Sequence, residues 1–275
     1  MRLPIDSPPS LKTIRQTINS RRRLTQLLPV IFLIVTAQGL RAQSDTAAQP
    51  PFTIGERLNF KVYLEFILGG DASMSVKGIE DVNGHSCQRL VSEAHSTPTV
   101  DAFYKVRDRV ESWRDLQFGF SRRYVKTLRE GKYKDDKRVE YATEDSLAFL
   151  YRGSREIPET LSVSGGIHDV LNAFYAMRER DLQVGRSEFI DLHDINQRYL
   201  LEVKVLRRES VEVPVGKFRC LVVEPELQSA GLFRKEGELQ IWLTDDQYKM
   251  PVLMKSKLYF GRVWAKLVGY SRGDE

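Results

Sequence analysis

The feature that most limits what this chain can fold into is a two-residue alternation of apolar and polar side chains. Leu58, Phe60, Val62, Leu64 and Phe66 alternate with Asn59, Lys61, Tyr63 and Glu65, and Ala72, Met74 and Val76 alternate with Ser73, Ser75 and Lys77. A period of two belongs to the β-strand, because successive side chains leave opposite faces of a pleated backbone. Further strands are expected over residues 104–113, 189–192, 199–205, 206–213 and 263–268. Asn83-Gly84, Gly69-Gly70-Asp71 and His193-Asp194 read as turns, residues 129–141 as a hairpin with a solvated tip, and Pro214 as a strand end. Long strands joined by short turns favour an antiparallel sheet that curls or closes.

The pattern reads as if written twice. Residues 110–131 (VESWRDLQFGFSRRYVKTLREG) align with residues 239–261 (LQIWLTDDQYKMPVLMKSKLYFG) when Gly131 is set on Gly261. Leu128 then falls on Leu258, Phe120 on Met250 and Phe118 on Tyr248, and one inserted residue brings Trp113 onto Trp242. Upstream, residues 52–55 (FTIG) match 182–185 (LQVG), and the turn and strand leading to Cys87 match those leading to Cys220. Internal repeats constrain a fold strongly. The expected architecture is mainly β: two pseudo-repeated antiparallel halves, about residues 52–131 and 182–261, forming a curved sheet or open barrel with one central α-helix. That helix is expected over about residues 167–180, with Asp169 as its N-cap and Val170, Phe174 and Met177 on one face against the concave side of the sheet.

Charge bears on partners only once the first residues are set aside. Residues 1–23 are polar and basic, an apolar run follows, and cleavage after Ala42 or Gly39 fits a secretory signal peptide. Residues 43–51 read as a linker, residues 52–270 as one β-rich domain, and no stable transmembrane anchor is expected after cleavage. Residues 1–42 hold seven of the 42 Lys and Arg but one of the 37 acids, so the remainder carries 35 bases, 36 acids and a net charge of −1. The basic balance belongs to the targeting segment, and nucleic acid is not an expected partner. In an exported chain, Cys87 and Cys220 either form a disulfide or remain as two buried thiols.

The residues offer little catalytic chemistry. His85, His95, His168 and His193 stand in no metal-ligand spacing, and there is no G-x-S-x-G elbow, H-E-x-x-H or P-loop. Asp245-Asp246 reads as a turn former with Pro251 at a strand edge or bulge, because neighbouring side chains point apart. No metal and no cofactor is expected. Trp113 and Trp242 are read as packing residues, or else as the mouth of a cavity inside the curved sheet plugged by Phe174 and Met177, where a lipid or other apolar ligand would bind. Arg122, Arg123, Lys126 and Arg129 form a basic arm that would serve a protein partner, or else one solvated strand face.

Five stretches together resemble a known family: FTIGERLNFKVYLEF, the residues Tyr104, Lys105, Val106, Arg107 and Asp108, HDVLNAFYAMR, VPVGKFRCLVVEP and IWLTDDQYKMPV. They are similar to domain of unknown function 3108 over about residues 52–270. The resemblance implies an exported, all-β protein of the bacterial periplasm or envelope and carries no established activity. The expected role is therefore non-catalytic, with an apolar ligand in the curved sheet, alternatively a scaffold contacting another envelope protein, and in third place an uncharacterised hydrolase.

Overall fold

The computed structural model describes residues 50–228, 239–258 and 261–273. The expected signal peptide lies outside them. The strands are β1 (Glu56–Leu64), β2 (Ile67–Val82), β3 (His85–Ser96), β4 (Arg107–Asp115), β5 (Ser121–Glu130), β6 (Tyr133–Ala142), β7 (Leu147–Arg152), β8 (Glu159–Ser162), β9 (Ser187–Asp194), β10 (Gln197–Val213), β11 (Gly216–Gln228), β12 (Leu239–Thr244), β13 (Pro251–Leu258) and β14 (Gly261–Arg272). A one-turn helix, α1 (Pro98–Asp101), follows β3, and the ten-residue α2 (Val170–Glu179) follows β8.

Among the described residues, fourteen strands form one antiparallel sheet in the order β8-β7-β6-β5-β4-β3-β2-β1-β14-β13-β12-β11-β10-β9. Each hydrogen-bonded neighbour is also a neighbour in sequence, with one exception. β1 pairs with β14, Leu58 opposite Tyr270 and Val62 opposite Ala265. The sheet is thus two meanders joined at their first and last strands, and α2 spans from the outer end of one to the outer end of the other.

The sheet does not close: β8 and β9 are its edges. Next to the β9 edge, the His168 N–H donates to the Asp191 carbonyl at 3.0 Å and the His193 N–H to the His168 carbonyl at 2.8 Å. Ile195, at the tip of the β9–β10 hairpin, is buried with Tyr124, Tyr141 and Leu150 of the opposite meander.

The alternation in β1 sets the core: Leu58 and Phe60 are fully buried and meet Met74, Val76, Leu90 and Leu267. On α2, Leu171 and Tyr175 join this cluster, and Ala173 and Met177 join a second with Ile190, Val203, Leu221 and Val223. Phe174 is partly buried and packs against both clusters. Val170, expected on the buried face, is instead exposed, because Asp169 fixes the rotation of the first turn by accepting from the Leu171 and Asn172 N–H groups.

Three expected turns can be compared with the backbone. Asn83 and Gly84 turn with φ +54° and +85°, the left-handed pair a two-residue hairpin requires. Gly69-Gly70-Asp71 is not a turn but lies within β2, and the chain reverses at Glu65, φ +51°. Gly70 serves close cross-strand approach: a Cβ there would lie 2.3 Å from the His95 carbonyl oxygen. His193-Asp194 is the end of β9, and the reversal comes at Ile195-Asn196, with Ile195 at φ +58°.

Candidate functional site

Polar groups buried at the two ends of α2 hold the helix to the sheet. At its N-terminus the fully buried Asp169 accepts four hydrogen bonds. Ser112 Oγ donates to Oδ2 at 2.5 Å and Ser121 Oγ at 2.6 Å, while the Leu171 and Asn172 N–H groups donate to Oδ1 at 2.9 and 3.0 Å. Asn172 Nδ2 donates to the Gly119 carbonyl and to Ser121 Oγ, both at 3.0 Å. Burial pushes the Asp169 carboxyl up to about 6, against the opposing pull of Ser112, Ser121 and the two N–H groups. His168 beside it is driven down to about 4, first by burial and then by the Arg114 and Arg180 guanidiniums.

At the C-terminal end, Arg178 is fully buried and makes a bidentate pair with Glu56, Nη1 to Oε1 and Nη2 to Oε2, each at 2.7 Å. It also donates to the Pro51 carbonyl at 3.0 Å and the Tyr248 carbonyl at 3.1 Å, and its guanidinium lies over the Phe52 and Tyr175 rings. This clamp joins α2, the start of β1 and the β12–β13 turn. Half of it was visible in the sequence: a period of two places Glu56 on the same face as Leu58 and Phe60, and a buried carboxylate requires a cation.

A third cluster centres on Arg122, which is buried, donates to Asp115 Oδ2 at 2.8 Å and reaches Glu144 and Thr143. Burial works to raise the Asp115 carboxyl, but the Phe118 N–H, Arg122 and the Gln117 N–H outweigh it and hold the group below its ordinary value. The expected basic arm is therefore neither free nor simply solvated. Arg123 pairs with Glu140, Lys126 with Asp194 and Arg129 with Asp136. His193, expected in a polar hairpin, is buried, and its Nδ1 lies 3.1 Å from the Tyr141 hydroxyl.

The two tryptophans occupy like settings. Trp113 Nε1–H donates across β3 to Glu80 at 2.7 Å, and Trp242 Nε1–H donates across β11 to Glu209 at 2.5 Å. A register shift adjoins each, at Trp113/Arg114 and at Trp242/Leu243. In each intervening strand a cysteine donates to the carbonyl two residues before it, Cys87 to His85 and Cys220 to Phe218. The likeness extends no further than these features: the two meanders have eight and six strands among the described residues, and the expected repeat of two halves is not shown.

The residues expected to line one cavity are divided among separate clusters. Trp242 packs with Val222, Leu253 and Phe174, Met177 lies in the neighbouring cluster, and Trp113 is apart with Val82 and Cys87 between the guanidiniums of Arg89 and Arg123. The disulfide reading is corrected: Cys87 and Cys220 are free, buried thiols that pack as small apolar groups in two different clusters. Burial pushes them up to about 11 and about 12, which makes them poor nucleophiles. Asp246 caps its turn through the Tyr248 and Lys249 N–H groups, and Pro251 begins β13 at the register shift, as expected.

Away from these clusters, one end of the sheet carries exposed apolar side chains, of which Phe66 and Tyr104 were expected within strands. The loops after β1, β3 and β5 lie side by side there. Thr97 N–H donates to the Gly69 carbonyl at 2.9 Å, and Gly131 N–H to the Lys105 carbonyl at 2.8 Å. Phe66 is 95% exposed, Ile67 68% and Phe103 89%, with Leu68 and Tyr104 beside them. The signal available was the run Leu64-Glu65-Phe66-Ile67-Leu68, in which the alternation of β1 breaks into consecutive apolar residues.

A curved, unclosed antiparallel sheet wrapped on one helix places the chain among β-barrel-like proteins. It belongs to the family described as protein of unknown function (DUF3108), whose model matches residues 59–268. In fold it is similar to the beta-barrel-like DUF1849 protein of Brucella abortus, at 11% identity and a TM-score of 0.57, covering 80% of this chain and 98% of that one. A candidate lipoprotein of Parabacteroides distasonis (13% identity, TM-score 0.34) and a candidate exported protein with a YmcC-like fold from Bacteroides fragilis (13%, 0.32) each align over 80% of this chain and 97% of their own. No curated protein matches the chain. Among the described residues, no helix is long and apolar enough to cross a membrane.

Proposed function

We propose that this is an extracytoplasmic envelope protein that acts by binding and not by catalysis, and that its partner is a lipid or another apolar molecule. The observation that carries the reading is the exposed apolar end built by the loops after β1, β3 and β5. Solvent-facing apolar side chains gathered in one place mark a contact surface. The buried polar groups support the non-catalytic part, since Asp169, Arg178 and Arg122 spend their hydrogen bonds on joining helix to sheet and strand to strand. The concave side is occupied by Leu171, Tyr175 and Met177 of α2, which favours contact at the loop end over enclosure within the sheet. Export rests on the basic and apolar opening of the chain. Native mass spectrometry after mild extraction tests the reading: retained lipid is the expected result. A ligand-free protein that also binds no added lipid, detergent or vesicle would remove it.

A second reading, a scaffold for another envelope protein, is favoured by one observation. The edge strand β8 is short, mostly exposed and paired on one side only. Strand addition is a common mode of partner capture. Crosslinking in cells from a photoreactive residue in β8 would recover a single partner on this reading and none on the first.

A further inference from the structure

We infer that the loop end of the sheet is a membrane-contacting surface that seats on an anionic bilayer; this rests on the envelope-binding reading and names its partner. Four features of the geometry lead there. The tip of the β1–β2 hairpin projects Phe66 and Ile67 into solvent, while its one acid, also exposed, is tied to β14. Glu65 N–H donates to the Arg262 carbonyl, and Glu65 Oε1 accepts the Arg262 N–H, both at 2.8 Å. The tip therefore presents Phe66 and Ile67 beside a carboxylate held by β14, and it is anchored to β14 by its own backbone.

The next loop repeats the arrangement. Asp101 is taken up by Arg107 at 2.6 Å and by Ser96, and Phe103 is left 89% exposed, with Tyr104 and Lys105 beyond it. Tyr104 lies against Gly131 of the third loop, close enough that a Cβ there would come within 3.0 Å of its ring. Ile157, 87% exposed, extends the same end in the loop after β7.

The charges are unequal in their freedom. Asp135 is paired with Lys137 at 2.6 Å and Asp136 with Arg129 at 2.9 Å. The exceptions are Glu130 and Asp108, set beside each other, and the exposed Glu156 next to Ile157. Lys105, Lys132 and Lys134 are exposed and form no ion pair among the described residues. A surface on which Asp101, Asp135 and Asp136 are paired while three lysines stand free beside apolar tips complements anionic headgroups over acyl chains. The apolar groups stand on separate loops at the same end of the sheet, which suits an extended surface better than a single groove-bound molecule. The chain enters β1 at the opposite end, so residues 50–56 do not cover the surface.

Co-sedimentation of the purified protein with phosphatidylcholine vesicles, with and without phosphatidylglycerol, tests the inference. The protein should bind the anionic vesicles, and added salt should weaken binding because exposed charges are screened. Phe66→Ser and Ile67→Ser should each cut partitioning about tenfold or more, since each removes an apolar side chain that the bilayer would bury. Lys105→Glu with Lys132→Glu, in other loops, should reduce binding to the anionic vesicles only. These side chains are exposed, and an unchanged unfolding midpoint would show that the variants fold. Vesicle binding that ignores both sets of substitutions would overturn the surface. Retention of a single lipid without vesicle binding would overturn the bilayer while leaving the envelope-binding reading intact; neither would remove both.

Discussion

Two adjacent buried groups at the start of α2 should cancel in the pH dependence of stability, and single substitutions should unmask each. The folded state holds the Asp169 carboxyl at about 6 against an ordinary 3.8, so between these values the folded chain keeps a proton that the unfolded chain has released. Stability is then largest below about 4 and falls as pH rises through 6, by ~3 kcal/mol at ~1.4 kcal/mol per pH unit. His168 runs the other way. Its folded value is about 4 against 6.5, so the unfolded chain holds the extra proton, and stability rises by ~3 kcal/mol as pH climbs from 4 to 6.5. The two contributions cover nearly the same window with opposite sign. Urea unfolding followed by tryptophan fluorescence at several pH values between 4 and 7 would separate them. Relative to wild type, Asp169→Asn should gain ~3 kcal/mol in going from pH 4 to 6, over and above a constant cost for the altered cap, and His168→Gln should lose about as much. A difference from wild type that does not change with pH, for either variant, would refute the assignment of these two groups as the buried titrating pair.

Other outcomes follow from the clusters described. Arg178→Met should destabilise by ~3–5 kcal/mol because it strands the Glu56 carboxylate, and Glu56→Leu in the same chain should restore much of that; urea midpoints of the two singles and the double decide it. Glu80→Gln and Glu209→Gln keep an acceptor for the indoles of Trp113 and Trp242 and should cost under ~1 kcal/mol, whereas Trp113→Ala and Trp242→Ala should each cost ~3–5 kcal/mol by the same measurement. Cys87 and Cys220 should resist thiol reagents in the native state and react on unfolding, with no change of mass on reduction. Gly70→Ala should destabilise by more than ~1 kcal/mol, since the added methyl meets the His95 backbone carbonyl and not a side chain that can rotate away.

The fold was legible wherever a short-range pattern decides it. Period-two runs gave β1, β2 and β10, and Asp169 announced the start of α2. What stayed hidden depends on contacts between distant segments. Gly69 and Gly70 have the composition of a turn, and only the closeness of His95 shows why small residues stand mid-strand. The four-residue α1 is too short to show a helical period. Arg122 and Arg123 look alike in sequence, but alternation buries one and leaves the other beside Trp113, where Glu140 meets it. Among the candidate residues, Phe174 and Met177 lie on α2 and Phe174 packs against the cluster of Trp242, while Trp113 sits in a different cluster, because the sheet separates positions that a linear alignment sets side by side. The exposed loop end was missed because an apolar residue continuing a strand and one projecting from its tip read identically until the turn is located.

The β1–β14 seam has a consequence for biogenesis. β1 waits at the middle of the sheet for β14, and Thr53 and Arg272, 219 residues apart, are bridged only after the twelve strands between them have been made. Until then both meanders carry a naked lengthwise edge at what will become the centre, the kind of edge that recruits foreign strands. Clipping off β14 would therefore expose the heart of the sheet, whereas losing β8 would only shorten its margin.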